Sequence, residues 1–81
     1  MAKAKAVTDF TAGELAEFFY YLDDLRASGK TNMFGATPYL KRAYRLHPDT
    51  AREVLQAWMH SYSRERDPGE RAAAFVASKA A

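Results

Sequence analysis

The strongest constraint on the fold is a stretch with both ends marked, "TAGELAEFFYYLDDLRASG", from Thr11 to Gly29. Leu15, Phe18, Phe19, Leu22 and Leu25 recur in it at the spacings that lay one apolar stripe along an α-helix, while Glu17, Asp23, Asp24 and Arg26 mostly face away. Thr11 with Glu14 three residues later is a capping-box signature, and Phe10 and Leu15 occupy the positions of a hydrophobic staple. Gly29 is suited to the left-handed turn that ends a helix. The pattern predicts a helix over about residues 12–28, which must bury its stripe against other elements.

The rest of the chain offers those elements. In "ATPYLKRAY", Thr37 is placed to cap and Pro38 to occupy the first turn, which predicts a short helix over 38–45. "HPDTAREVLQAWMHSYS" again opens with proline and places Asp49 at the positive end of the helix dipole; Ala51, Val54, Leu55, Trp58, Met59 and Tyr62 form its apolar stripe, predicting a helix over 48–62. After Ser63 the composition shifts to "RERDPGERAAAFVASKAA", where Asp67, Pro68 and Glu70 restart a helix whose only large apolar groups are Phe75 and Val76. So few apolar groups predict a weakly docked C-terminal helix. No segment carries a strand signal.

The expected fold is all-α: a compact three-helix bundle over 8–63, preceded by a flexible basic arm at 1–7 and followed by a linker and Ala-rich helix at 64–81. The expected core is Leu15, Phe18, Phe19, Leu22, Leu25, Leu40, Ala51, Val54, Leu55, Trp58 and Met59. An 81-residue chain with 48% hydrophobic side chains supports one modest core. With no cysteine, packing alone must stabilise it. No apolar run approaches the roughly 20 residues that span a bilayer, and "MAKAKAV" lacks the apolar block of a secretory signal. A soluble, cytoplasmic protein without a membrane partner is expected.

Several motifs that suggest chemistry fail on spacing. "GKT" at Gly29–Thr31 has the ending of a phosphate loop, but the position five residues before that glycine is Asp24, on a predicted helix, where the loop needs glycine after a strand. His47 and His60 stand 13 residues apart, without the three- or four-residue spacing of a metal pair. Asp23 and Asp24 are adjacent and diverge on a helix, so they form no acid–base pair. No enzyme, cofactor or metal is expected. "RERDPGER" alternates in sign, which suits a solvated linker.

Two features remain. The connector "TNMFGA" holds Met33 and Phe34 between the turn formers Asn32 and Gly35; these side chains either plug the gap between helices or, with Tyr39, form an exposed anchor for a partner protein. "LKRAYRLHPDTAREVLQAW" places a short helix, a tight passage with apolar Leu46, and a second helix in succession, the layout of a helix-turn-helix. Residues 31–63 are also the mildly basic part of the chain, with four bases and two acids.

Residues 40–55 resemble the helix-turn-helix of GntR-type bacterial regulators. Tyr44 stands for the family's leucine, Leu46 for its apolar turn residue and His47 for its serine cap, followed by Thr50, Ala51, Arg52 and Leu55 along the second helix. Arg45 occupies the position where the family prefers glycine, and no β-wing follows Trp58. The resemblance implies a DNA-binding regulator in which Thr50, Arg52 and Gln56 face double-stranded DNA, with Lys41, Arg42 and Arg45, and Lys3 and Lys5 of the arm, available for phosphates. A homodimer is the expected form for reading a useful length of DNA. Asp49, Arg52, Glu53, Gln56 and His60 share the outward face of that helix, whose formal charge is −1. The whole chain is also similar to short uncharacterised proteins of bacteriophages and prophages. That likeness implies an accessory protein in a bacterial host cell, and the alternative function is binding a host or phage protein through Met33, Phe34 and Tyr39.

Overall fold

The computed structural model describes residues 5–80, apart from the side chains of Phe34 and Ala80. Lys3 of the expected arm and the Phe34 side chain therefore lie outside the described residues. The described residues form four helices, α1 (Ala12–Ser28), α2 (Thr37–Tyr44), α3 (Pro48–Ser61) and α4 (Pro68–Ala80), with short 3-10 turns at Val7–Asp9 and Met33–Gly35. The described residues contain no strand.

The ends of α1 follow its sequence. Thr11 Oγ1 accepts from the Glu14 N–H at 3.1 Å and Glu14 Oε1 accepts from the Thr11 N–H at 2.9 Å, closing the capping box. Phe10 and Leu15 are both buried, and Gly29 ends the helix at φ 71°, in the left-handed region. The start of α2 differs by one residue from expectation. Thr37 is its first helical residue rather than its cap; Ala36 precedes it, and the Leu40 N–H donates to the Ala36 carbonyl at 3.0 Å. Upstream, the Asn32 side chain accepts from the Gly35 N–H, so the connector supplies its own cap.

The core matches the predicted stripes with one exception. Leu15, Phe18, Phe19, Leu22, Leu25, Leu40, Ala51, Val54, Leu55 and Trp58 are buried, joined by Phe10, Ala36, Ala57 and Ala72. Met59 is only partly buried, packed against the edge. Edge-to-face aromatic contacts tie the entry segment and α2 to α1: Phe18 meets Phe10 at 5.1 Å and Tyr44 at 4.8 Å between ring centroids.

The C-terminal helix corrects the expectation of weak docking. Among the described residues, α4 makes the most extensive interhelical contact in the molecule, against α1. Large apolar groups are few because small ones do the packing: Ala72 has no exposed surface, and short side chains let two helices approach closely. The second contribution is polar. Arg71, 1% exposed, places Nη2 at 2.6 Å from Asp23 Oδ2 on α1, while the other oxygen of the same carboxylate accepts from Trp58 Nε1 on α3 at 2.8 Å. Tyr62, just past α3, lies with the guanidinium carbons of Arg71 and Arg26 each 5.0 Å from its ring centroid. Asp23, which the α1 pattern turns away from the apolar stripe, thus joins three helices.

Candidate nucleic-acid interface

Helices α2 and α3 are separated by Arg45, Leu46 and His47 only. Arg45 takes φ 54° and ψ 43°, the left-handed conformation that an L-residue enters at a cost of about 1–2 kcal/mol and glycine enters freely. It is the only non-glycine residue with positive φ among the described residues. This backbone lets the Leu46 N–H donate to the Lys41 carbonyl at 3.2 Å and turns the half-buried Leu46 toward the core. His47 then caps α3, its Nδ1 accepting from the Asp49 N–H at 3.1 Å.

The candidate contact residues divide into two groups. Lys41, Arg42 and Arg45 are exposed along α2 and its end, and Arg52 and Gln56 are exposed one turn apart on α3. Arg52 Nη1 stands 3.6 Å from Asp49 Oδ1, an open surface pair of little energetic weight that leaves the guanidinium available. Thr50 does not join them. It is 2% exposed, and its hydroxyl donates to the Lys5 carbonyl. A threonine one position before an alanine of the apolar stripe is turned inward by helical geometry, and the entering chain covers it.

That entering segment runs across α3. Beyond the bond from Thr50, the Val7 N–H donates to Glu53 Oε1 at 2.9 Å, and Lys5 Nζ lies 4.5 Å from the centroid of Phe10. Nothing in the sequence marks this strap, since its partners lie 45 and 46 positions away. Around α2, burial together with the charges of Glu17 and Tyr21 pushes the Tyr44 phenol up, and its hydroxyl faces the Glu17 carbonyl at 3.4 Å.

The alternative contact residues are more scattered. Met33 is packed against the core, as a gap-filling methionine, while Tyr39 is 37% exposed. Among the described residues the other exposed aromatic is Tyr20 on α1, which approaches Gly69 at the start of α4, whereas Tyr39 borders a hollow with Tyr21 and Lys30. Among the described residues no three His, Cys, Asp or Glu side chains converge as metal ligands, and no helix is long and apolar enough to cross a membrane. No known protein family, curated protein or solved structure matches the chain.

Proposed function

We propose that this protein is a small DNA-binding regulator of the helix-turn-helix type, approaching the groove with α3 and the phosphates with α2. The observation that carries this reading is Arg45: the backbone at the position where the motif prefers glycine is left-handed although the residue is not glycine. A three-residue passage, an inward Leu46 and a capped second helix complete the geometry. In this reading Arg52 and Gln56 meet base edges, Lys41, Arg42 and Arg45 meet phosphates, and Thr50 supports α3 from inside. Two chains pair to read two half-sites in the cytoplasm of a bacterial host, a setting drawn from the resemblance to phage-type proteins.

The test is fluorescence anisotropy on labelled duplexes, first of random sequence across a salt series and then on sites selected for tight binding. Arg52→Ala is expected to cost about 1–3 kcal/mol on a selected site and little on competitor DNA. Equal affinity of wild type and variant for every duplex, or no binding at low salt, would refute the reading. The exposed Tyr39 favours a second reading, docking on a host or phage protein, but Met33 contributes to the core rather than to an open patch.

A further inference from the structure

The DNA-binding reading leaves α4 unused, yet α4 carries a charged group whose hydrogen bonding is incomplete. Arg71 Nε donates to the Arg66 carbonyl at 3.1 Å and Nη2 donates to Asp23. Its Nη1 is buried and has no hydrogen-bond partner among the described residues. Nearly all buried polar groups in folded proteins are paired, and an unmet donor on a charged group is among the costliest exceptions.

Arg71 also lines a hollow of about 440 Å³ between the end of α3 and α4, a volume in the range of small-molecule sites. Arg66, Lys79 and His60 stand around it with the hydroxyls of Ser61 and Ser78, and no carboxylate lines it among the described residues. Ala74 and Phe75 give it an apolar part, and Lys79 Nζ lies 5.6 Å from the centroid of the Phe75 ring. Arg71, Phe75 and Lys79 recur every four residues, which sets a cation, an aromatic ring and a second cation in line along one helix face.

Arg66 and Lys79 bring two positive charges to the concavity beside Arg71, whose charge Asp23 balances, and no carboxylate lining the hollow among the described residues compensates them. A doubly charged anion with several acceptor oxygens balances this better than a carboxylate, because guanidinium groups match phosphate geometry and two cations match its double charge. We infer that the hollow binds a small phosphomonoester, its phosphate held by Arg66 and Lys79 beside the Arg71 guanidinium, whose unpaired Nη1 reaches it on a small side-chain shift, and its apolar body resting on Phe75. This site is independent of the proposed DNA contact.

Arg71→Ala risks the fold, so the test uses Arg66→Ala/Lys79→Ala, which alters two exposed residues, with circular dichroism as the check on folding. Phenyl phosphate is titrated into the isotope-labelled full chain while its amide spectrum is followed. Wild type is expected to show saturable shifts at Ser61, Ala74, Phe75 and Ser78 with Kd below about 1 mM. The folded double variant is expected to bind at least about tenfold more weakly. Benzoate and dimethyl phosphate, each singly charged, are expected to lose a similar factor. Non-saturating shifts spread over every basic surface, or unchanged affinity in the double variant, would overturn the site. Dimethyl phosphate matching phenyl phosphate would overturn the assignment to a dianion and point to a nucleic-acid backbone instead.

Discussion

Replacing Asp23 with alanine removes a single carboxylate and leaves two groups stranded on two other helices. Arg71 loses the oxygen 2.6 Å from Nη2, and Trp58 loses the acceptor 2.8 Å from Nε1. Truncating one partner of a buried ion pair typically costs about 3–5 kcal/mol, because the surviving charge stays buried and uncompensated. Arg71 meets that condition with its side chain 1% exposed; Asp23, at 28%, lets water into the vacated space, so the low end applies, about 3 kcal/mol. The orphaned indole N–H adds about 1 kcal/mol. Against a total of about 4–12 kcal/mol for a chain of this length, the loss of about 4 kcal/mol is severe. Urea unfolding followed by Trp58 fluorescence and circular dichroism should show the midpoint fall by about 3–4 M, at a slope of about 1 kcal/mol per molar. A fall below about 1 M would mean that the pair does not hold α4 to α1. The companion variant Asp23→Asn/Arg71→Met removes both charges, and its cost should be well under the sum of the two single changes. Additive costs would refute the coupling.

The turn and the cap give further expectations. Arg45→Gly relieves a left-handed arginine but adds freedom to the unfolded chain, so a net gain of about 0.5–1 kcal/mol is expected, seen as a melting temperature raised by about 4 °C. A lower melting temperature would show that the arginine side chain contributes more than its backbone costs. Glu14 accepts from the Thr11 N–H, and this holds its carboxyl below the ordinary value of 4.5. The stabilisation is therefore present above that value and is lost as pH falls through the lowered one; Glu14→Gln, which keeps an acceptor but cannot titrate, should flatten the acid limb of a melting-temperature profile. An unchanged limb would assign the acid sensitivity to other carboxylates.

The local elements were legible in the sequence because their determinants are local. The α1 capping box, the glycine that ends the helix, the proline-led starts of α3 and α4 and the apolar stripes all act within four residues. What escaped depends on contacts between residues far apart in the chain. Asp23 falls opposite the apolar stripe of α1, and only α4, arriving 48 residues later, makes it a half-buried junction. Arg71 belongs to a segment whose alternating charges suit solvent, and one sign would have helped: with Phe75 and Lys79 it forms a four-residue repeat on an otherwise alanine-rich helix. Thr50 was misplaced for a similar reason. Its neighbours predict a DNA-facing helix start, but the strap that covers it comes from Lys5, and no pattern within α3 reveals that.

The strap also narrows what α3 can do in a groove. With Thr50 inside and Glu53 holding the Val7 N–H, the freely exposed polar groups near the start of α3 are Asp49, Arg52 and Gln56, and Asp49 repels phosphates. In the proposed DNA-binding reading, affinity must then come from the cations on α2 and its end, Lys41, Arg42 and Arg45. Three phosphate contacts release counterions with a slope of about −2.7 in log K against log salt, and a pair of chains doubles it to about −5. A steeper measured slope would require cations beyond this set, and Lys5 is the nearest described candidate. Its ammonium group lies 4.5 Å from the Phe10 ring centroid, a contact that a phosphate could outcompete without moving the backbone bonds that fix the strap. The salt slope of Lys5→Ala against that of the unmodified chain thus separates a strap that only covers α3 from one that also grips the nucleic acid.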